Sequence, residues 1–162
     1  MINYLRTFFL TLAFISLTAC TSINGNNDNI AQLSTQGVQV VQQGVKVNLI
    51  LPADTFFKSG SPTLKPSAYP ILDNIAVVLS QYPSANVTIA GYTDNVSSPK
   101  RNREFSKALA NSIVTYLWTK GIPFQRMTMI GYGEANPIAT NRTVQGNTSN
   151  RRVEINFWQQ AV

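Results

Sequence analysis

The chain has 162 residues, with Lys+Arg 13 against Asp+Glu 7, a formal net charge of +6 and 12% charged residues. This length suits one domain of ordinary size with a tail. The basic excess would suit an anionic partner. However, the basic residues are scattered and their tightest group, Lys100, Arg101 and Arg103, is short. A solvated basic surface is therefore favoured, and nucleic acid is not expected as a partner.

The composition also excludes several kinds of chemistry. The chain has no histidine, which excludes Ser-His and Cys-His catalysis and histidine-ligated metals. A single cysteine excludes an intrachain disulfide and a cysteine metal cluster. We therefore expect no enzyme, no catalytic residue, no bound metal and no cofactor. The acidic residues considered for a paired acid/base site show no suggestive spacing: Asp54, Asp73, Asp94, Glu104, Glu134 and Glu154.

The N-terminal segment reads "MINYLRTFFLTLAFISLTAC", with Arg6 before an apolar run from about Phe8 to Leu17. The run is too short to span a bilayer but suits a secretory signal. Small residues directly before Cys20 resemble the bacterial lipobox, in which the cysteine is lipidated. The sequence thus predicts a signal peptide over residues 1–19 and a lipid anchor at Cys20. An ordinary signal with an incidental cysteine is the alternative.

The residues after Cys20 predict a location and a tether. Thr21 stands where an Asp would be the usual inner-membrane retention signal, so the resemblance implies the outer membrane, with the protein facing the periplasm. Residues 21–36, "TSINGNNDNIAQLSTQ", are polar and have little to bury. We expect them to form a flexible tether. Residues 37–162 would then form the periplasmic domain.

The domain begins with a predicted β-hairpin, which pairs Val38–Val41 with Val45–Leu51 around Gln43-Gly44. Helical spacing of apolar residues predicts a first main helix over about 66–82 and a second over about 102–120. Strands are predicted at 86–92, 126–133 and 151–159. The order β-β-α-β-α-β-β indicates an α+β fold, with two main helices packed on one face of a mixed sheet.

Several motifs in this order carry a family resemblance. The chain contains "LKPSAYPILDNIAVVL", "GYTDN", "KGIPFQRM", "GYGEANPIATNRT" and "NRRVEI". Over about Val45–Phe157 it resembles the C-terminal, peptidoglycan-binding domain of the outer-membrane protein A family, which includes the peptidoglycan-associated lipoproteins. Among such proteins it is similar to a small lipoprotein of type IVB secretion systems. The resemblance implies peptidoglycan, secretion-system proteins or other envelope proteins as partners, and outer-membrane lipid through Cys20.

The resemblance also implies a ligand, the diaminopimelate of the peptide stem. Its ammonium and carboxylate on one carbon require an anion and a donor fork in the receptor. In the family the anion is the Asp of the T-D loop, here Asp94. The fork is an Arg of the L-S-x-x-R-A helix motif, and that position holds Leu109.

Two further positions depart from the family pattern. Phe57-Lys58-Ser59 stands where the family has F-D-F, and Asn147 replaces an arginine. We read Arg151 and Arg152 as supports of the loop and the sheet edge. Four cations in segments flanking the site are candidates to replace the missing arginine, although plain solvent exposure is the favoured interpretation: Lys58, Lys100, Arg101 and Arg103. The predicted peptidoglycan-binding residues are Thr93, Asp94, Asn95, Asn102, Phe57, Lys58, Phe105 and Leu109.

Both Asp94 and Leu109 have a second interpretation. Asp94 would cap the second helix or order a turn, and Leu109 would pack in the core. The missing arginine predicts weakened binding to peptidoglycan. It also keeps open an alternative function, a structural envelope-assembly subunit that binds protein partners and not peptidoglycan.

Overall fold

The computed structural model describes the backbone of residues 25–159 and the side chains of residues 29–159. Its centre is a five-stranded sheet in the order β1-β2-β5-β3-β4. β3 and β4 are parallel, whereas the other neighbours are antiparallel, so the predicted mixed sheet is confirmed. The strands are β1 Gln39–Gln43, β2 Lys46–Pro52, β3 Val87–Tyr92, β4 Met127–Gly133 and β5 Arg152–Trp158.

Within residues 25–159, five α-helices accompany the sheet: α1 Gly25–Thr35, α2 Ala53–Phe56, α3 Tyr69–Ser80, α4 Pro99–Thr119 and α5 Val144–Asn150. The two main predicted helices correspond to α3 and α4. α4 begins at Pro99, earlier than predicted. The reason is that the Ser98 hydroxyl accepts a hydrogen bond from the Arg101 N–H at 3.4 Å, and proline is favoured in the first turn.

The alternating pattern of the strands sorts their side chains onto two faces. On β5, Val153, Ile155 and Phe157 are fully buried, whereas Glu154 and Asn156 lie on the other face. The buried face packs against α1, α3 and α4 in one apolar core. The expected arrangement of two main helices on one face of the sheet is confirmed.

α4 crosses the sheet at very short range. A Cβ on Gly91 of β3 would overlap the Ser106 carbonyl oxygen, and one on Gly131 of β4 would lie 2.6 Å from the Arg103 carbonyl oxygen. Only glycine permits this approach. It brings the first turns of α4 against the ends of β3 and β4, beside the loop that carries Asp94.

The predicted tether over Thr21–Gln36 is wrong for residues 25–35. These residues form α1, in which Ile30 and Leu33 are 3% and 0% exposed and join the core. Spacing of three places both side chains on one helix face, which is enough to dock a polar helix. The C-terminal end of α1 is capped by Gly37, which has a φ of 83°, and by the Val38 N–H, which donates a hydrogen bond to the Leu33 carbonyl. The predicted signal peptide and Cys20 lie outside the described residues.

Two short helices, α2 and α5, were not predicted, and the hairpin turn lies one residue later than expected. Gln43 pairs with Lys46, so the turn residues are Gly44 and Val45. Over residues 25–159, no helix combines the length and apolar character needed to cross a bilayer.

Candidate ligand-binding cavity

A cavity of about 300 Å³ opens where α2, the loop after it, the end of β3 and α4 meet. Its walls combine apolar and charged groups. Phe57, Phe105 and Leu109 supply apolar surface, while Asp54 and three cations, Lys58, Lys65 and Arg151, supply charge. A cavity of this size with both signs of charge can hold a small zwitterionic group.

Arg151 joins α2 to the loop between β3 and α4 through two carboxylates. Its Nε and Nη2 donate to the two oxygens of Asp54 at 3.1 and 2.5 Å, and its Nη1 donates to Asp94 Oδ2 at 2.8 Å. Nη2 also donates to Thr148 Oγ1. The bonds to Asp54 and then Asp94 raise the pKa of Arg151 above its usual range, against the opposing effect of burial. The guanidinium is therefore a permanent charge at the cavity wall.

Asp94 lies in the loop between β3 and α4, with 14% of its side chain exposed. Its Oδ1 accepts a hydrogen bond from the Val96 N–H at 3.2 Å, and its Oδ2 accepts from Arg151. The alternative interpretation, in which Asp94 orders a turn, is thus confirmed. Each oxygen keeps a second lone pair, and ligand binding by Asp94 remains a prediction.

Asn102 and Asn95 do not line the cavity. Asn102 is 4% exposed, and its Nδ2 donates to the carbonyls of Asp94 and Ser97 and to Glu134 Oε2. Asn102 therefore holds the Asp94 loop on α4. Asn95 is exposed on that loop. Of the eight predicted site residues, the cavity brings together five: Phe57, Lys58, Thr93, Phe105 and Leu109.

Leu109 is 2% exposed and belongs to the apolar core as well as to the cavity wall. Its interpretation as a core residue is confirmed. At the neighbouring position in the wall, Thr93 is 7% exposed, and within the described part of the chain its Oγ1 has no hydrogen-bond partner. An unpaired buried hydroxyl is costly.

The four cations considered as replacements for the missing arginine differ in whether they line the cavity. Lys58 lines the cavity, whereas Lys100, Arg101 and Arg103 are exposed in the first turns of α4 and do not. Lys65 lines it too, with its Nζ donating to the Asp54 carbonyl at 2.6 Å.

Sequence reasoning missed Asp54, Lys65, Tyr92 and Arg151 as cavity residues. Arg151 belongs to a recognised motif, "NRRVEI", and that motif following a polar loop was the available signal. Asp54 and Arg151 are 97 positions apart, and only the fold joins them. Burial, reinforced by Glu154, raises the pKa of Tyr92 to about 12, so its phenol stays neutral.

The fold and the motif-bearing cavity define the class of protein. Residues 56–151, more than half of the chain, match the OmpA family, and the chain belongs to that family.

Among curated relatives, "Probable lipoprotein YiaD" of Escherichia coli K12 is 40% identical over 119 residues, covering 74% of this chain and 54% of that protein. "Outer membrane protein A" of Bordetella avium is 36% identical, covering 74% and 64%. "Peptidoglycan-binding protein ArfA" of Mycobacterium tuberculosis H37Rv is 38% identical, covering 67% and 33%. The chain thus spans between a third and two thirds of these relatives' lengths.

Solved structures agree on the fold. A MotB-like protein from Desulfovibrio vulgaris superposes with a TM-score of 0.74 at 24% identity, covering 83% of this chain and 91% of that one. The cell wall anchor of the T6SS from Pseudomonas aeruginosa gives 0.73 at 26% identity, covering 82% and 96%. The OmpA-like fold is therefore confirmed.

Proposed function

We propose that this domain binds peptidoglycan, and that its cavity receives the diaminopimelate of the peptide stem. Membership of the OmpA family supports this, together with a relative that is named a peptidoglycan-binding protein. The relatives also support a non-enzymatic role in the cell envelope.

The observation that carries the proposal is the chemistry of the cavity wall. The free end of diaminopimelate presents an ammonium and a carboxylate on one carbon. The cavity offers Asp54, with 52% of its side chain exposed, and Lys58 on the same wall. Thr93 adds a hydroxyl that lacks a partner among the described residues. Opposite charges and an unsatisfied polar group in one small cavity match such a ligand.

We expect this binding to be weaker than in relatives with an arginine at the position of Leu109. The buried leucine side chain has no hydrogen-bond donor, and Asp94 is already paired with Arg151. A hydrogen bond to a charged group contributes about 1.5–3 kcal/mol, so its loss weakens binding by about tenfold to a hundredfold.

Three further features belong to the same proposal. A lipid on Cys20 would hold the protein in the outer membrane, with the domain in the periplasm. Stable anchoring needs more than one acyl chain, which the lipidation of bacterial lipoproteins supplies. An accessory role in a type IVB secretion apparatus rests on the sequence resemblance alone. Palmitate labelling tests the anchor, since Cys20→Ser should lose the label.

The test of peptidoglycan binding is co-sedimentation of the full chain, in detergent, with purified sacculi. The wild type should sediment, and Asp94→Ala should not, because the variant loses a negative charge paired with Arg151 and the order of the loop beside the cavity. Asp73→Ala is the matched control, since Asp73 lies on α3 and pairs with Lys120 outside the cavity. Melting curves should accompany each variant.

A wild-type chain that stays in the supernatant would contradict the proposal. That outcome would favour the alternative function, a structural subunit that contacts envelope proteins and not peptidoglycan.

A further inference from the structure

We propose that Lys58 binds the ligand carboxylate for which the family uses an arginine at the position of Leu109. This inference rests on the proposed function and names the residue that recognises one half of the ligand. It assigns a role to a position at which the family pattern has an acid and not a base.

Two departures from the family pattern meet in one place. Lys58 stands where the family has the Asp of F-D-F, and Leu109 stands where it has an arginine. The two positions are distant in sequence, yet both line the same cavity. The cavity therefore loses a cation on α4 and gains one on the loop after α2. A carboxylate bound in this cavity would find its positive partner on that loop and not on α4.

Lys58 is the cavity cation whose side-chain donors have no partner among the described residues. Arg151 is bound by Asp54 and Asp94, and Lys65 donates to a backbone carbonyl. Among the described residues, Lys58 Nζ has neither an ion pair nor a side-chain hydrogen bond, and the residue is exposed. An ammonium carries three donors, so Lys58 can bind a carboxylate without breaking an existing contact.

The backbone around Lys58 is fixed although its side chain is not. The Lys58 N–H donates to the Thr63 carbonyl at 2.9 Å, and Phe57 forms a β-bridge with Leu64. The Ser112 hydroxyl of α4 donates to the Pro62 carbonyl at 2.7 Å, which ties the loop to the helix. The loop therefore holds the lysine Cα at the rim of the cavity.

The arrangement divides the ligand between two anchors. Asp54 lines the cavity with 52% of its side chain exposed, and although both of its oxygens accept from Arg151, each keeps a lone pair for an ammonium. Lys58 supplies the opposite charge for the ligand carboxylate. A lysine binds as a point charge and lacks the paired donors of a guanidinium. Recognition should consequently be weaker, and more sensitive to salt, than with an arginine fork.

The experiment compares two stem tetrapeptides, one with diaminopimelate and one with lysine at the third position. The lysine peptide keeps the side-chain ammonium but lacks the carboxylate. Calorimetry with the full chain in detergent should show about a tenfold preference for the diaminopimelate peptide. Lys58→Ala should erase that preference without changing affinity for the lysine peptide, and Lys58→Arg should keep it. Lys100→Ala, an exposed cation outside the cavity, is the control and should behave as the wild type.

The outcomes separate the two proposals. If the folded Lys58→Ala protein keeps the preference of the wild type for the diaminopimelate peptide, the role of Lys58 is overturned while peptidoglycan binding stands. Equal binding of the two peptides by the wild type would also overturn it. A wild type that binds neither peptide nor sacculi overturns the proposed function itself.

Discussion

Arg151 and Arg152 are neighbours in sequence, but they serve two different regions of the molecule. Arg151 faces the cavity and keeps 31% of its side chain exposed, whereas the Arg152 side chain is 3% exposed on the outer face of the sheet. Because successive side chains of a strand point to opposite faces, one dipeptide supplies both regions.

The Arg152 region is a closed polar cluster. Its guanidinium lies 3.9 Å from the centre of the Tyr92 ring, and its Nε donates to Glu154 Oε1 at 2.7 Å. Nη1 and Nη2 donate to the carbonyls of Asn150 and Asn136. Each of its three nitrogens donates to a partner within the protein, and the side chain is 3% exposed, so this charge serves the structure.

The Arg151 region is open by comparison. It joins α2, the Asp94 loop and α5 through side chains that solvent and ligand can reach. The same residue type thus stabilises the fold in one region and organises a site in the other. The difference lies in burial, because the Arg151 side chain is 31% exposed and the Arg152 side chain only 3%.

The largest expected effect is on the free energy of unfolding, and it comes from removing Arg152 from its buried polar cluster. Arg152→Ala should lower the free energy of unfolding by about 3–5 kcal/mol, because it leaves Glu154 without its cation in a mostly buried position. Denaturant unfolding measures this loss. Peptide affinity of the remaining folded protein should stay close to that of the wild type, and a stability loss below that of Arg151→Ala would contradict the comparison.

Removing the open arginine should have a smaller effect on stability and a larger one on binding. Arg151→Ala should cost about 1.5–3 kcal/mol of unfolding free energy, the range for charged hydrogen bonds. Its binding to sacculi should fall sharply, because Asp54 and Asp94 would repel each other and the cavity wall would lose order. Arg151→Lys is the matched variant, since it keeps the charge but not the fork. Unaltered binding by both variants would show that Arg151 does not organise the site.

The smallest expected change in free energy comes from introducing an arginine at position 109, on the wall of the same cavity as Arg151. Leu109→Arg should raise affinity for the diaminopimelate peptide by about tenfold, or about 1.4 kcal/mol. The long side chain can extend into the cavity from its buried Cα. The melting temperature should fall, since apolar core contacts are lost. Leu109→Met, of similar volume, is the control for packing. A folded Leu109→Arg protein with wild-type affinity would count against a site inherited from the family.

The sequence predicted the elements that periodicity governs. The hydrophobic stripes of α3 and α4 and the alternation in β2 and β5 are local signals, and the structure confirms them. α1 escaped prediction because two apolar residues, Ile30 and Leu33, are enough to dock it once a core exists. The site was predicted only where a motif marks it. Asp54 lies on the short helix α2 and Lys65 in the loop after it, a stretch without periodicity, and only the contacts of the folded chain bring Asp54 to Arg151 and Lys65 to Asp54.

The docking of α1 also sets how far the domain can reach from a membrane. With a lipid on Cys20, a flexible tether ending at Gln36 would allow a span of at most about 55 Å, at roughly 3.5 Å per residue. Because α1 begins at Gly25 and docks on the core through Ile30 and Leu33, only the five steps of chain from Cys20 to Gly25 would remain as a tether, with a span of at most about 18 Å. With a lipid on Cys20, the domain would therefore stay close to the membrane surface. A peptidoglycan ligand would have to lie near that surface to be bound.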